Sequence, residues 1–207
     1  MSAIKVTWYG HACFVLESEG YRLALDPYDP TTPGYKPLEI TANQVLCSHL
    51  HHDHCYLQAV SVPLNEVCCP FKVEKIATYH DDEKGALRGE NTVHVISAGG
   101  YRIAHFGDLG HSLDDEQIKA LGRLDLALIP VGGTYTIDPC SANELCNRLD
   151  VKTVVPMHYR TGSFGYDNIA HLDEFLALRR DVCMLAGSSF ILSDKTPAAT
   201  LVPVYSR

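Results

Sequence analysis

The sequence predicts an α+β fold of layered sheets flanked by helices, and three observations predict it. Short apolar strands and amphipathic helical stretches interleave from end to end. Hairpin signals recur at Gly10, Gly20 and Gly99-Gly100, too often for a simple doubly wound sheet. Polar residues suited to chemistry sit directly after apolar strands, as side chains that converge on one rim of a sheet do.

Ile4–Tyr9, Cys13–Glu17 and Arg22–Asp26 are short and apolar and read as strands. A loop rich in Pro, Thr and Gly follows, from Pro27 to Pro37. Gln44–Ser48 reads as a buried strand, His54–Val60 as a short helix, and Val67–Cys69 and Lys75–Tyr79 as strands. Thr92–Ser97 and Tyr101–Phe106 form a hairpin pattern around Gly99-Gly100. Asp114–Leu121 has helical periodicity, with Ser112 or Asp114 as N-cap. Leu126–Pro130 is a strand. Ser141–Leu149 is a helix, with Ser141 and Glu144 in a capping-box spacing. Thr153–Pro156 is a strand and Leu172–Arg179 a helix. Val182–Ala186 and Phe190–Leu192 close the chain as strands.

Composition narrows the function classes. The 207 residues are 46% apolar and 20% charged, as in a globular domain with a sizeable core. No apolar run is long enough to span a membrane, so no membrane partner is expected. The opening stretch, Met1–Trp8, alternates like a strand and lacks the apolar block of a secretory signal. A cytoplasmic location is the expectation. The formal net charge is −8, with Lys and Arg scattered rather than clustered. That argues against a nucleic-acid partner, which requires a basic stripe to meet phosphates. Eight cysteines include no C-x-x-C pair, which argues against a structural zinc ribbon. They read as small buried thiols kept reduced, with Cys55, beside a histidine cluster, as a weak ligand or an oxidation-sensitive bystander.

The cluster carries the chemistry. His49-Leu50-His51-His52-Asp53-His54 places four metal-ligand side chains within six residues. Residues two apart in an extended segment point the same way, so His49 and His51 can grip one ion. A following turn would swing Asp53 and His54 onto a second. Neutral imidazoles suit Zn²⁺, Mn²⁺ or Fe, and a carboxylate adds charge neutralisation.

This H-x-H-x-D-H pattern resembles the signature of the metallo-β-lactamase-fold hydrolase superfamily. The resemblance covers most of the chain and implies one hydrolase domain over residues 1–207. It implies a four-layer αβ/βα sandwich, with two mixed sheets flanked by helices. Asp26, ending Leu23-Ala24-Leu25-Asp26, matches the first motif, a structural aspartate near the site. His80 in Tyr79-His80-Asp81 matches the third, Asp108 in Gly107-Asp108-Leu109 the fourth, and His158 in Met157-His158-Tyr159 the fifth. By that resemblance His49, His51 and His80 hold one metal, Asp53, His54 and His158 hold a second, and Asp108 bridges them. The Gly10-His11 start, the third motif and Pro130-Val131-Gly132-Gly133 are similar to a compact branch that includes ascorbate-6-phosphate lactonase-like proteins. That branch often assembles, which leaves a homo-oligomer open. His51 stands where the flavodiiron pattern has Glu, which favours Zn²⁺ or Mn²⁺ over a redox di-iron pair.

The implied reaction is hydrolysis of a small, anionic ester, lactone or phosphoester by a metal-bridging hydroxide. Asp53 and Asp108 are the catalytic carboxylates. His11, Asp26, Arg88, Tyr135, Tyr159 and Arg160 are candidates for supporting the ligands or meeting substrate. Asp81 and Ser48 are further candidates to orient ligating imidazoles, and Asn91 to meet an anion. His52 is expected to point away, and His94 and His105 to be ordinary packed or exposed residues within strands. His111 stands as a donor near the site and His171 at a helix start. Two other readings stay in view: a non-catalytic metal- or ligand-binding module, and an RNA- or DNA-processing nuclease.

Overall fold

The computed structural model describes residues 2–64 and 67–205, so Met1, at the head of the predicted first strand, lies outside the described residues. Nine strands come first: β1 (Ile4–Gly10), β2 (Cys13–Ser18), β3 (Tyr21–Leu25), β4 (Ile40–Thr41), β5 (Gln44–Leu46), β6 (Val60–Ser61), β7 (Lys72–Tyr79), β8 (Glu90–Ala98) and β9 (Tyr101–His105). Helix α1 (Asp115–Leu121), β10 (Leu124–Pro130), α2 (Pro139–Arg148), β11 (Val151–Met157) and α3 (Leu172–Leu176) follow. The described chain closes with β12 (Val182–Met184), β13 (Ser189–Leu192) and β14 (Thr200–Val202).

Two mixed sheets pack face to face. One runs β13-β1-β2-β3-β5, antiparallel except for the parallel β3–β5 pair. The other runs β12-β14-β11-β10-β9-β8-β7, with β7, β8 and β9 antiparallel and the rest parallel. The last strands alternate between sheets, β12 and β14 in the larger and β13 in the smaller, which ties the two layers together.

Alternation along the strands sets the layers. Phe14, Leu16, Leu23 and Leu25 share one face of the smaller sheet and bury against Val93, Val95, Ile103, Leu126 and Leu128 of the larger. The opposite face presents Cys13, Val15 and Ala24, which Tyr28, Tyr35, Leu38, Ile40 and Ala42 cover. That outer layer is built from the loop after β3 and the small β4–β6 pair. No helix among the described residues is long and apolar enough to cross a membrane.

Several local expectations are corrected. Val67–Cys69 is irregular, and β7 starts only at Lys72. The segment His54–Val60 is not an α-helix. One 3-10 turn spans Leu57–Ala59, because Tyr56 N donates to Pro27 O at 2.8 Å and Val60 joins β6. Helix α2 begins earlier than Ser141, since Asp138 is its N-cap, accepting from Ser141 N at 2.7 Å, and Pro139 suits the first turn. Helix α3 ends at Leu176. The three-residue strand β14 is an addition to the expected strands; it lies just before Pro203 and is fully buried. The cysteines also depart from the buried-thiol reading. Cys68, Cys69, Cys140 and Cys183 are exposed, and Cys47 and Cys55 are joined in a disulfide, with Cα atoms 5.4 Å apart.

Candidate metal centre

Strand ends deliver the predicted residues to one rim between the sheets. Ser48 to His54 follow β5, His80 follows β7, Asp108 follows β9 and His158 follows β11. Three of the site residues, His11, Asp26 and His158, are non-glycine residues with φ of 51°, 45° and 53°. Left-handed backbone costs about 1–3 kcal/mol at such residues and persists where the surroundings impose it.

Asp26 is fully buried and organises the cluster. Its Oδ1 accepts from Ser48 N at 2.7 Å, and its Oδ2 accepts from Ser48 Oγ at 2.5 Å and from His54 Nδ1 at 2.8 Å. Ser48 Oγ in turn lies 3.0 Å from His49 Nδ1. Burial by itself would raise the Asp26 carboxyl, but His105 and the His54 hydrogen bond hold it down at about 2. Asp26 and Ser48 therefore engage the Nδ1 atoms of both histidines and leave each Nε2 for a ligand. His80 is oriented differently: its Nδ1 donates to Tyr135 O at 2.9 Å.

Asp108 sits among the imidazoles. Its Oδ1 is 3.2 Å from His54 Nε2, and its Oδ2 is 3.2 Å from His80 Nε2 and 3.3 Å from His158 Nε2. Burial opposes ionisation, yet His158 and His54 hold the Asp108 carboxyl well below the usual range. The His54 imidazole is raised well above its ordinary value: burial lowers it, and Asp108, Asp26 and Asp53 outweigh that. His49 goes the other way, to about 3, through burial and the nearby His54. The cluster thus demands positive charge around Asp108 while keeping an imidazole neutral beside it.

This donor set fits metal ions. Two atoms bound tetrahedrally to one ion at about 2.0–2.2 Å stand about 3.3–3.6 Å apart, close to the separations around Asp108. His49 Nε2, His54 Nε2 and Asp108 Oδ1 are buried without a hydrogen-bond partner. Such atoms are costly to bury unless a ligand satisfies them. The donor atoms of His49, His51 and His80 lie within 4.8 Å of one another, and so do those of His11, Asp53, His54 and His158.

A cavity of about 340 Å³ opens over this centre, lined by His51, His52, Asp53, His80, Arg88, Asp108, Tyr135, His158 and Tyr166. Arg88 stands over the Tyr135 ring, with Cζ 5.8 Å from its centroid. Tyr166, which sequence reasoning missed, donates from its hydroxyl to Asp53 Oδ2 at 3.2 Å. An isolated tyrosine in the loop after β11 carries no signal that could have marked it. His52 is exposed and pairs with Asp29 at 3.2 Å.

Other candidates lie elsewhere. Tyr159 is buried against Trp8 and Phe164, because the backbone reverses side at His158 and turns it into the core. Arg160 donates from Nε to Ile169 O at 2.7 Å and holds a loop rather than facing the cavity. Asp81 does not orient His80. Its carboxylate accepts from the backbone N–H groups of Glu83, Gly85, Leu87 and Arg88, shaping the loop that carries Arg88. Asn91 is buried beneath the site, where its Oδ1 accepts from Asp108 N at 2.9 Å. His94 and His105 are buried in paired strands. His111 bonds to Ser112 O at 2.8 Å outside the cavity lining, and His171 caps α3. Cys55 is no ligand, since its sulfur is bonded to Cys47 across the His49–His54 loop.

Two facing mixed sheets with a His/Asp cluster on their rim define a metal-dependent hydrolase. The beta-lactamase superfamily domain model matches residues 5–158, and the chain belongs to that superfamily. It is 31% identical over 194 residues to a UPF0173 metal-dependent hydrolase of Thermoplasma acidophilum, covering 78% of this chain and 85% of the relative. A UPF0173 metal-dependent hydrolase of Desulforamulus reducens is 30% identical over 196 residues, covering 76% and 85%. Among solved structures, a Zn-dependent hydrolase assignment from Thermotoga maritima superposes with a TM-score of 0.77 at 35% identity, covering 97% of this chain and 98% of the other.

Proposed function

We propose that the site holds two divalent cations, Zn²⁺ or Mn²⁺, and hydrolyses a small anionic ester, lactone or phosphoester. The position of Asp108 carries the reading. Its Oδ2 faces both His80, which would belong to one cation, and His158, which would belong to the other, so Asp108 is placed to serve both sets. His49, His51 and His80 would hold one cation, and Asp53, His54 and His158 the other. Divalent cations held by these residues would supply an activated water near neutral pH and Lewis-acid polarisation of the scissile group.

The chain's own residues supply the rest. Asp53 faces the cavity, and Tyr166 donates to its Oδ2, so the other carboxylate oxygen is available to orient a nucleophile or carry its proton. Arg88 stands across the cavity as a cation for a substrate carboxylate or phosphate. Its contact with Tyr135 holds the guanidinium in place. The cavity suits a small molecule, and the net charge of −8 disfavours a nucleic-acid polymer.

The test is turnover of lactones, phosphodiesters and thioesters with Mn²⁺ or Zn²⁺, alongside metal content. The expected result is hydrolysis of at least one anionic member and loss of both metal and turnover in His49→Ala. A His49→Ala protein with full metal and full turnover would overturn the assignment. Metal bound without turnover on any substrate would favour a non-catalytic binding module, and cleavage of RNA or single-stranded DNA a nuclease.

A further inference from the structure

We propose that His11 is itself a metal ligand, donating through Nε2 to the cation shared by Asp53, His54 and His158. The inference rests on the dinuclear reading above and adds an eighth protein ligand to it.

The imidazole is fully buried, with ring centroids 4.2 Å from His158 and 5.0 Å from His54. Neither ring nitrogen has a hydrogen-bond partner. A buried polar ring in that state is destabilising unless something satisfies it. Nε2 lies 3.4 Å from Asp53 Oδ2, the spacing of two atoms that share an ion. The donor atoms of His11, Asp53, His54 and His158 all fall within 4.8 Å of one another.

The backbone strengthens the assignment. His11 occupies the turn between β1 and β2 with φ of 51°, directly after Gly10 at φ 108°. A second glycine would make this turn without strain, so the left-handed histidine is explained by its side chain rather than by the turn. The conformation is held in place: Trp8 Nε1 donates to His11 O at 3.0 Å, and His158 N donates to the same oxygen at 3.4 Å. The turn thereby couples the smaller sheet to the residue that follows β11.

A different role would be to donate a hydrogen bond to Asp53 and merely orient it. Glutamine keeps an N–H donor but is a poor metal ligand, so His11→Gln separates the two. The metal-free full-length protein and its His11→Ala and His11→Gln variants are titrated with Co²⁺, following the d–d absorption and the heat of binding. Metal-free melting curves confirm that each variant is folded. The wild type should take two equivalents. In both variants one equivalent should bind as before, while the other weakens by more than about 100-fold, beyond the 10–100-fold typical of an outer partner. Its d–d band should change in intensity with the lost ligand. Unaltered affinity and spectrum in His11→Ala would overturn the proposal, as would full rescue by His11→Gln. A wild type that takes one equivalent would instead overturn the dinuclear reading and this assignment with it.

Discussion

Asp26 Oδ2 accepts a hydrogen bond from His54 Nδ1 at 2.8 Å, and that bond aims His54 Nε2 at Asp108, 3.2 Å away. The aspartate follows β3 in the smaller sheet, while Asp108 follows β9 in the larger. The two sheets therefore meet chemically at one imidazole. Removing the Asp26 charge while keeping its shape should disturb His54 more than the fold. Asp26→Asn is expected to weaken binding of the cation proposed at His54 by about 10–100-fold, read by competition with a chelator. Unchanged affinity would show that Asp26 serves only to hold Ser48.

Asp108 contacts both histidine sets, so under the two-cation proposal its loss should not be confined to one ion. Asp108→Ala is expected to reduce metal content at both sites, measured by elemental analysis after dialysis. It leaves buried histidines without their counter-charge, and breaking such pairs typically costs about 3–5 kcal/mol. The metal-free variant should accordingly melt at a lower temperature than the metal-free wild type. Retention of one full equivalent of metal would show that Asp108 belongs to a single ion.

Arg88 should affect substrate rather than metal. Charge-assisted hydrogen bonds contribute about 1.5–3 kcal/mol, so Arg88→Ala is expected to raise KM for an anionic substrate by about 10–150-fold, with metal content unchanged. A neutral substrate should show little difference. An equal effect on both would remove Arg88 from anion recognition.

Asp81 offers a pH-dependent handle on the same loop. Burial alone would raise its carboxyl, but four backbone N–H groups, led by Arg88, lower it. Its folded value lies below its unfolded one. The stabilisation is thus complete above the ordinary carboxylate range near pH 3.9 and is lost as pH falls through the lower folded value. Amide exchange at Glu83, Gly85, Leu87 and Arg88 should stay slow to below pH 4 and then accelerate. Asp81→Ala should show fast exchange at neutral pH together with the KM increase of Arg88→Ala.

The Cys47–Cys55 bond closes a loop with a sequence separation of 8 around His49, His51, Asp53 and His54. Chain-entropy reasoning gives about 2.5 kcal/mol for a loop of that size. Cys47→Ser, or a reductant, is expected to lower the urea midpoint of the metal-free protein accordingly. Identical midpoints with and without reductant would show that the bond contributes nothing.

The clustering of the candidate residues was legible in the sequence because its information is local. His49 to His54 sit within six residues, and His80, Asp108 and His158 each follow an apolar strand whose end can be recognised. The strands themselves were legible for the same reason, through alternation and bounding glycines. Helix starts were less so: Asp138 rather than Ser141 caps α2, since a capping spacing recurs by chance and packing selects which one is used.

The surroundings of the ligands were decided only by the tertiary structure. His80 is oriented by the carbonyl of Tyr135, 55 residues away, and Asp53 by the hydroxyl of Tyr166, 113 residues away. Cys47 and Cys55 are likewise joined because the turn between them folds back on itself. Tyr159 follows a ligand in the chain yet faces the core, and Asp81 does the same yet ties a loop. Residue type and spacing specify which atoms can bind a metal. Which nitrogen is presented, and what closes the cavity above it, depends on which strands become neighbours, and no single segment of sequence contains that.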